Sequence, residues 1–233
     1  MFHWNWYNIW VKQFLFIYFF FIFCKVENKS QINSKTKIND IPLHLACLNP
    51  SVSVEIIKYL VENKSDLNNT KQSVFNTPLH NAIQCESITL EIIKCLIENK
   101  SQINSKNEKQ MIPLHSLCEN KNVSLELVKY LGKTIFFYFF FFIFCKVENK
   151  SQINSKTRNN DTPLHSACRN ENISIDIIEY MVENKSDLNY KDNHNKTAVH
   201  YSSKNPSLTK KIKEKYGEKF DCHKIFKEYQ RNY

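Results

Sequence analysis

Five histidines and three cysteines are the side chains in this sequence whose types and spacing invite a chemical role. The histidines each close a recurring tetrad: IPLH at 41–44, TPLH at 77–80, IPLH at 112–115, TPLH at 162–165 and TAVH at 197–200. Cys47, Cys118 and Cys168 each follow one of these histidines by three residues. Imidazole is a metal ligand and a proton carrier near neutral pH, and thiolate is a zinc ligand. Yet no CxxC pair occurs among the eight cysteines, and structural zinc sites are usually built on such close pairs. Stacked helices lie about 8–10 Å apart, so histidines at equivalent places in successive helices are too distant to share one metal. The sequence therefore offers no catalytic residue, no metal site and no cofactor, and the chain is expected not to be an enzyme. His44, His80, His115, His165 and His200 are expected to tie each helix start to the neighbouring turn. The three thiols, at equivalent positions, are expected in a core, which suits a reducing compartment.

The tetrads return at steps of 36, 35, 50 and 35 residues. A second marker, ENKS, returns at 27–30, 62–65, 98–101, 148–151 and 183–186, with steps of 35, 36, 50 and 35. Two separate markers on one rhythm identify an internal repeat. Each unit reads as two helices and a turn. Thr77 and Thr162 are good N-caps, and Pro78 and Pro163 occupy the first helical position, where a missing N–H costs nothing. The second helix opens on a hydroxyl with an acid two residues on: Ser53 and Glu55, Thr89 and Glu91, Ser124 and Glu126, Ser174 and Asp176. An acid there suits the positive end of the helix dipole. An apolar stripe such as Ile92, Ile93, Leu96 and Ile97 follows, and ENKS ends the helix.

The TPLHxA-like tetrad, the two-helix unit and the period close to 33 residues resemble the ankyrin repeat. The resemblance implies an all-α solenoid of paired helices joined by hairpin-like turns. It covers residues 26–216, with full units at 37–72, 73–107, 108–157 and 158–192 and a degenerate terminal unit at 193–216. The family's Gly-Ala after the second helix is replaced here by Lys-Ser. Asn63, Asn99 and Asn184 are expected to take the left-handed turn that glycine usually takes.

Composition narrows the field further. Only two glycines occur, Gly132 and Gly217, so no GxGxxG, Walker or GxSxG loop can form. The net charge is +9. From Lys204 onward nine Lys/Arg face four acids, which reads as a solvated basic tail, 217–233, outside the array. Replacing residues 204–233 is expected to leave the fold of 37–192 intact. No nucleic-acid partner is expected.

Two aromatic segments break the pattern. The step of 50 contains 15 extra residues, GKTIFFYFFFFIFCK at 132–146, placed between KYL and VENK. A similar run precedes the first VENK, and Lys25–Thr36 is identical to Lys146–Thr157. A membrane-spanning helix needs about 20 apolar residues, and the apolar core 135–145 has 11. Residues 1–25 read either as a membrane anchor or, like 132–146, as translated non-coding sequence. A splice from within codon 132 to within codon 147 would rejoin KYLVENK in frame. Left in place, the insert is expected to uncouple the fourth unit from the first three.

By resemblance the chain is a non-catalytic protein-interaction scaffold or adaptor. It binds an unidentified protein partner through turn tips and first helices. The contact positions implied are Lys37, Ile38, Asp40, Leu48 and Asn49, then Ser73, Val74, Asn76 and Gln84. Glu108, Lys109, Met111 and Glu119 follow in the third unit, and Arg158, Asn159, Asp161 and Arg169 in the fourth. The expected location is cytoplasmic. The alternatives are a membrane-anchored ankyrin protein held through residues 1–25, or the ankyrin part of a larger signalling enzyme. Sequons at Asn28, Asn63, Asn99, Asn149, Asn184 and Asn195 separate the anchored case, since a translocated chain would be glycosylated there.

Overall fold

The computed structural model describes residues 31–70, 74–132 and 152–217. Residues 1–25, Ser73, most of the insert and the tail beyond Gly217 lie outside the described residues. The described chain is all-helical, and its one extended pairing is an isolated bridge between Lys191 and Thr197.

Each tetrad proline opens a seven-residue first helix: α1 Pro42–Leu48, α3 Pro78–Gln84, α5 Pro113–Glu119 and α7 Pro163–Arg169. The second helices are α2 Val54–Glu62, α4 Leu90–Glu98, α6 over 125–132 and α8 Ile175–Glu183. They begin directly after the hydroxyl residues expected to cap them. Thr89 Oγ1 accepts from the Ile92 N–H at 3.3 Å, and Ser124 Oγ from the Leu127 N–H at 3.2 Å. Leu43, Leu79, Leu114 and Leu164 from the first helices meet Ile57, Ile93, Val128 and Ile178 from the second in one buried core. Cys47, Cys118 and Cys168 belong to it, and burial raises each thiol pKa.

The second helices end in a way the sequence did not suggest. The left-handed residues are Lys64, Lys100 and Lys185, with φ of 66°, 73° and 70°. The asparagines stay on the right-handed side, with Asn63 at φ −85°. Each asparagine amide instead donates back to the carbonyl four residues earlier: Asn63 to Tyr59, Asn99 to Cys95 and Asn184 to Tyr180, at 2.7–2.8 Å. The Ser65 N–H reaches the Leu60 carbonyl and the Lys64 N–H the Val61 carbonyl, which closes a Schellman turn. A lysine Cβ in that conformation costs about 1 kcal/mol. Lys64→Gly should therefore raise the free energy of unfolding by about 1 kcal/mol in a denaturant titration; a decrease would show that the lysine side chain itself holds the turn.

The fourth unit is not uncoupled from the third. His115 Nε2 meets the Asp161 carbonyl at 3.2 Å, and the Asn170 amide donates to the carbonyls of Cys118 and Asn120 at 2.9 and 2.8 Å. The Arg158 N–H reaches the Lys109 carbonyl at 3.0 Å. All these bonds run through first helices and turns, and the insert interrupts neither. At the end of α6, a Cβ on Gly132 would lie 2.6 Å from the Tyr180 hydroxyl. Tyr180 thus leans into the space that Val61, Ile97 and Val182 fill in the other units.

The array is closed at its far end by α9 Ala198–Tyr201, a short 3-10 turn Ser202–Lys204, and α10 Pro206–Tyr216. Leu208, Ile212 and Tyr216 of α10 are buried against the core. Lys215 Nζ pairs with Glu179 of α8 at 2.7 Å. The stretch 206–216 is therefore a capping helix. The expectation that replacing residues 204–233 leaves the fold of 37–192 intact is corrected for 206–216, because that helix packs on the core.

Candidate interaction surface

His44, His80, His115 and His165 each use both ring nitrogens on backbone. Nδ1 accepts from the N–H of its own helix cap: Ile41, Thr77, Ile112 and Thr162, at 3.2–3.3 Å. The proton therefore sits on Nε2, which donates to a carbonyl of the next unit. His44 reaches Asn76, His80 reaches Met111, His115 reaches Asp161 and His165 reaches Lys196, at 3.1–3.2 Å. Burial, partly offset by the carbonyl bond, lowers the pKa of His80 and His115 to about 4 and also lowers that of His165. These imidazoles are neutral struts between units.

The same ladder explains where the expected contact residues fall. Asp40, Asn76, Met111 and Asp161 are buried. They share one position, immediately before the helix cap, and from the second unit on that position's carbonyl receives the preceding histidine. The bond is made by backbone, so the side chain can vary without being open to solvent. Sequence variation at that place was misleading for this reason. Lys37, Ile38, Leu48, Val74, Gln84, Lys109, Glu119, Arg158 and Asn159 are exposed, and Asn49, Glu108 and Arg169 are half-buried.

Two pairs of these residues meet across the turn and the end of the first helix. Asn76 Nδ2 donates to Gln84 Oε1 at 3.0 Å, and Arg169 holds Asp161 at 3.0 Å. Arg169 also lies 4.2 Å above the Tyr201 ring. The Tyr201 hydroxyl donates to Asp192. Burial and that carboxylate push the Tyr201 pKa up to about 12. Ser166 Oγ donates to Glu119 at 3.1 Å, which links the third and fourth first helices along the same face.

The turns form a continuous edge. The Glu108 N–H donates to the Val74 carbonyl, Arg158 to Lys109 and Asn193 to Asn159, at 2.9–3.0 Å. At the tip of each turn one residue is left-handed: Asn39, Phe75, Gln110, Asn160 and Asn195. Phe75 stands apart from the polar residues in this series. Its φ is 51° and its side chain is 48% exposed. Sequence reading passed over it, since nothing in a lone phenylalanine signals a left-handed turn; its register with Asn39 was the available clue.

A row of helix pairs, stacked through first helices and presenting an edge of hydrogen-bonded turns, defines a repeat solenoid with one continuous lateral surface. The family model described as ankyrin repeats (3 copies) matches residues 43–137 and 138–215. The chain belongs to the ankyrin repeat family, whose members generally act as protein-interaction modules. No curated protein matches the chain.

Proposed function

We propose that the chain is a non-catalytic scaffold or adaptor that binds a protein along its turn edge and first helices. The observation that carries this is the placement of its open apolar side chains. Among the described residues, the exposed large hydrophobics are Ile38, Leu48, Val74 and Phe75. All four sit on turns or at a first-helix end, and none lies on a second helix. Apolar groups gathered on one face of a soluble repeat mark a binding region. The contact set this reading retains is Lys37, Ile38, Leu48, Asn49, Val74, Gln84, Glu108, Lys109, Glu119, Arg158, Asn159 and Arg169, with Phe75 added. The buried free thiols support a reducing compartment, and the cytoplasm is the location this reading favours. No described helix is long and apolar enough to cross a membrane.

The test compares two faces. Partners captured by the full chain are re-titrated against a variant carrying Gln84→Ala, Lys109→Ala, Glu119→Ala and Arg158→Ala. A control carries Lys58→Ala, Glu91→Ala and Lys129→Ala on the second helices. Binding should fall about ten-fold or more in the first and stay within about two-fold in the control. Loss in the control alone would move the surface to the opposite face.

A further inference from the structure

A lysine recurs once per unit in the sequence: Lys35, Lys71, Lys106, Lys156 and Lys191. Its steps of 36, 35, 50 and 35 follow those of the tetrads. Lys35, Lys106, Lys156 and Lys191 are exposed. Lys156 lies 4.1 Å above the Tyr190 ring, and no carboxylate lies in ion-pair range of the four among the described residues. Lys37, Lys109, Arg158 and Lys196 add exposed charge to the same turns. Against them on these turns stand the half-buried Glu108 and the buried Asp40, Asp161 and Asp192, of which Asp161 is held by Arg169. The fully exposed charges along the described edge are therefore positive and regularly spaced, set by stacking at about 10 Å per unit.

The strip has a polarity. The equivalent tip positions read Ile38, Val74, Lys109, Asn159 and His194. Beside Val74 stands Phe75, held open to solvent in a conformation that a bulky side chain adopts only at a cost. The apolar groups all lie in the first two units, and the lysine row continues past them to the last.

Resting on the binding-surface reading above, we infer that the partner is an acidic, extended polypeptide segment lying along the turns. An aliphatic or aromatic anchor at one end of the segment packs on Ile38, Val74 and Phe75. Carboxylates then meet the lysine row. An extended chain advances about 3.3 Å per residue, so about three residues span one unit. An acid at every third position matches the row. A nucleic acid would satisfy the lysines, but Ile38 and Val74 offer it no stacking plane.

The probe is a synthetic peptide of about 15 residues with a Phe-Leu pair at one end and glutamate at every third position, made in both chain orders. Its affinity for the full chain is read by fluorescence anisotropy at low and high salt. Replacing every glutamate by glutamine should weaken binding about ten-fold or more and abolish most of the salt dependence. Phe75→Asn, the residue at three equivalent tips, should weaken it about ten-fold while the thermal midpoint stays level or rises. A combined Lys35→Gln, Lys106→Gln, Lys156→Gln and Lys191→Gln variant should lose most of the salt dependence. Equal binding of the glutamine peptide, no binding of either order, or tighter binding of a single-stranded oligonucleotide would each overturn the inference. So would a captured partner that is lost by the Gln84, Lys109, Glu119 and Arg158 variant but kept by Phe75→Asn and the lysine variant; that outcome leaves the binding-surface reading standing.

Discussion

Acidification from pH 6.5 toward pH 4 should unfold the array well before its carboxylates are fully protonated. In the unfolded chain a histidine takes up its proton near pH 6.5. In the folded chain His80 and His115 hold out to about pH 4, and His165 is lowered as well. A folded pKa below the unfolded one stabilises the fold above the unfolded pKa, and that contribution is lost as pH falls. The loss begins near pH 6.5 and is largely complete near pH 4. For a shift of this size it amounts to roughly 2 kcal/mol per histidine at pH 5 and about 3 kcal/mol at pH 4. Both Nε2 donors span neighbouring units, and repeat arrays depend on such interfaces. Helical circular dichroism followed in urea at pH 7, 6, 5 and 4.5 should show a midpoint that falls steadily. A flat profile would mean that the imidazoles titrate in place and are not struts.

Removing the capping helix should have an effect of similar size. A chain ending at Lys204 loses Leu208, Ile212 and Tyr216, which cover the last core layer. Burying three such side chains contributes on the order of 5 kcal/mol. The truncation also removes the bond from the Asn205 amide to the Glu171 carbonyl, 3.2 Å, and the Lys215–Glu179 pair. The single change Ile212→Ala should cost about 2–5 kcal/mol. The truncated chain should melt lower and in a broader transition, because α8 then loses the helix packed against it. An unchanged thermal midpoint would show that α10 is an ornament of the fold.

The repeat, the helix pairs and the hydroxyl starts of the second helices were all legible, because they are local and recur. The role of the histidines was legible too, since a residue fixed at the third helical position of each unit has one place to point. What escaped reading came from three physical sources. Backbone groups carry bonds that leave side-chain identity free, which hid the burial of Asp40, Asn76, Met111 and Asp161. Asparagine was the natural residue for a left-handed turn, but its amide serves better as a cap on the carbonyl four residues back. The left-handed conformation passed to Lys64, Lys100 and Lys185. Finally, the stripe of Leu208, Ile212 and Tyr216 lies among Lys210, Lys211, Lys213 and Lys215. Composition there spoke for a solvated tail, while the spacing of four spoke for a helix with one buried face. The insert misled in a different way. It falls in the sequence of a second helix, whereas the bonds that join the third and fourth units run through first helices and turns.

The most direct test of the central claim is hydrogen–deuterium exchange of the full chain with and without a captured protein partner. New protection is expected on the turns at 74–76, 107–111 and 157–161 and at the ends of α3, α5 and α7, with α2, α4 and α8 unchanged. Protection confined to the second helices, with the turns exchanging as fast as in the free chain, would contradict it.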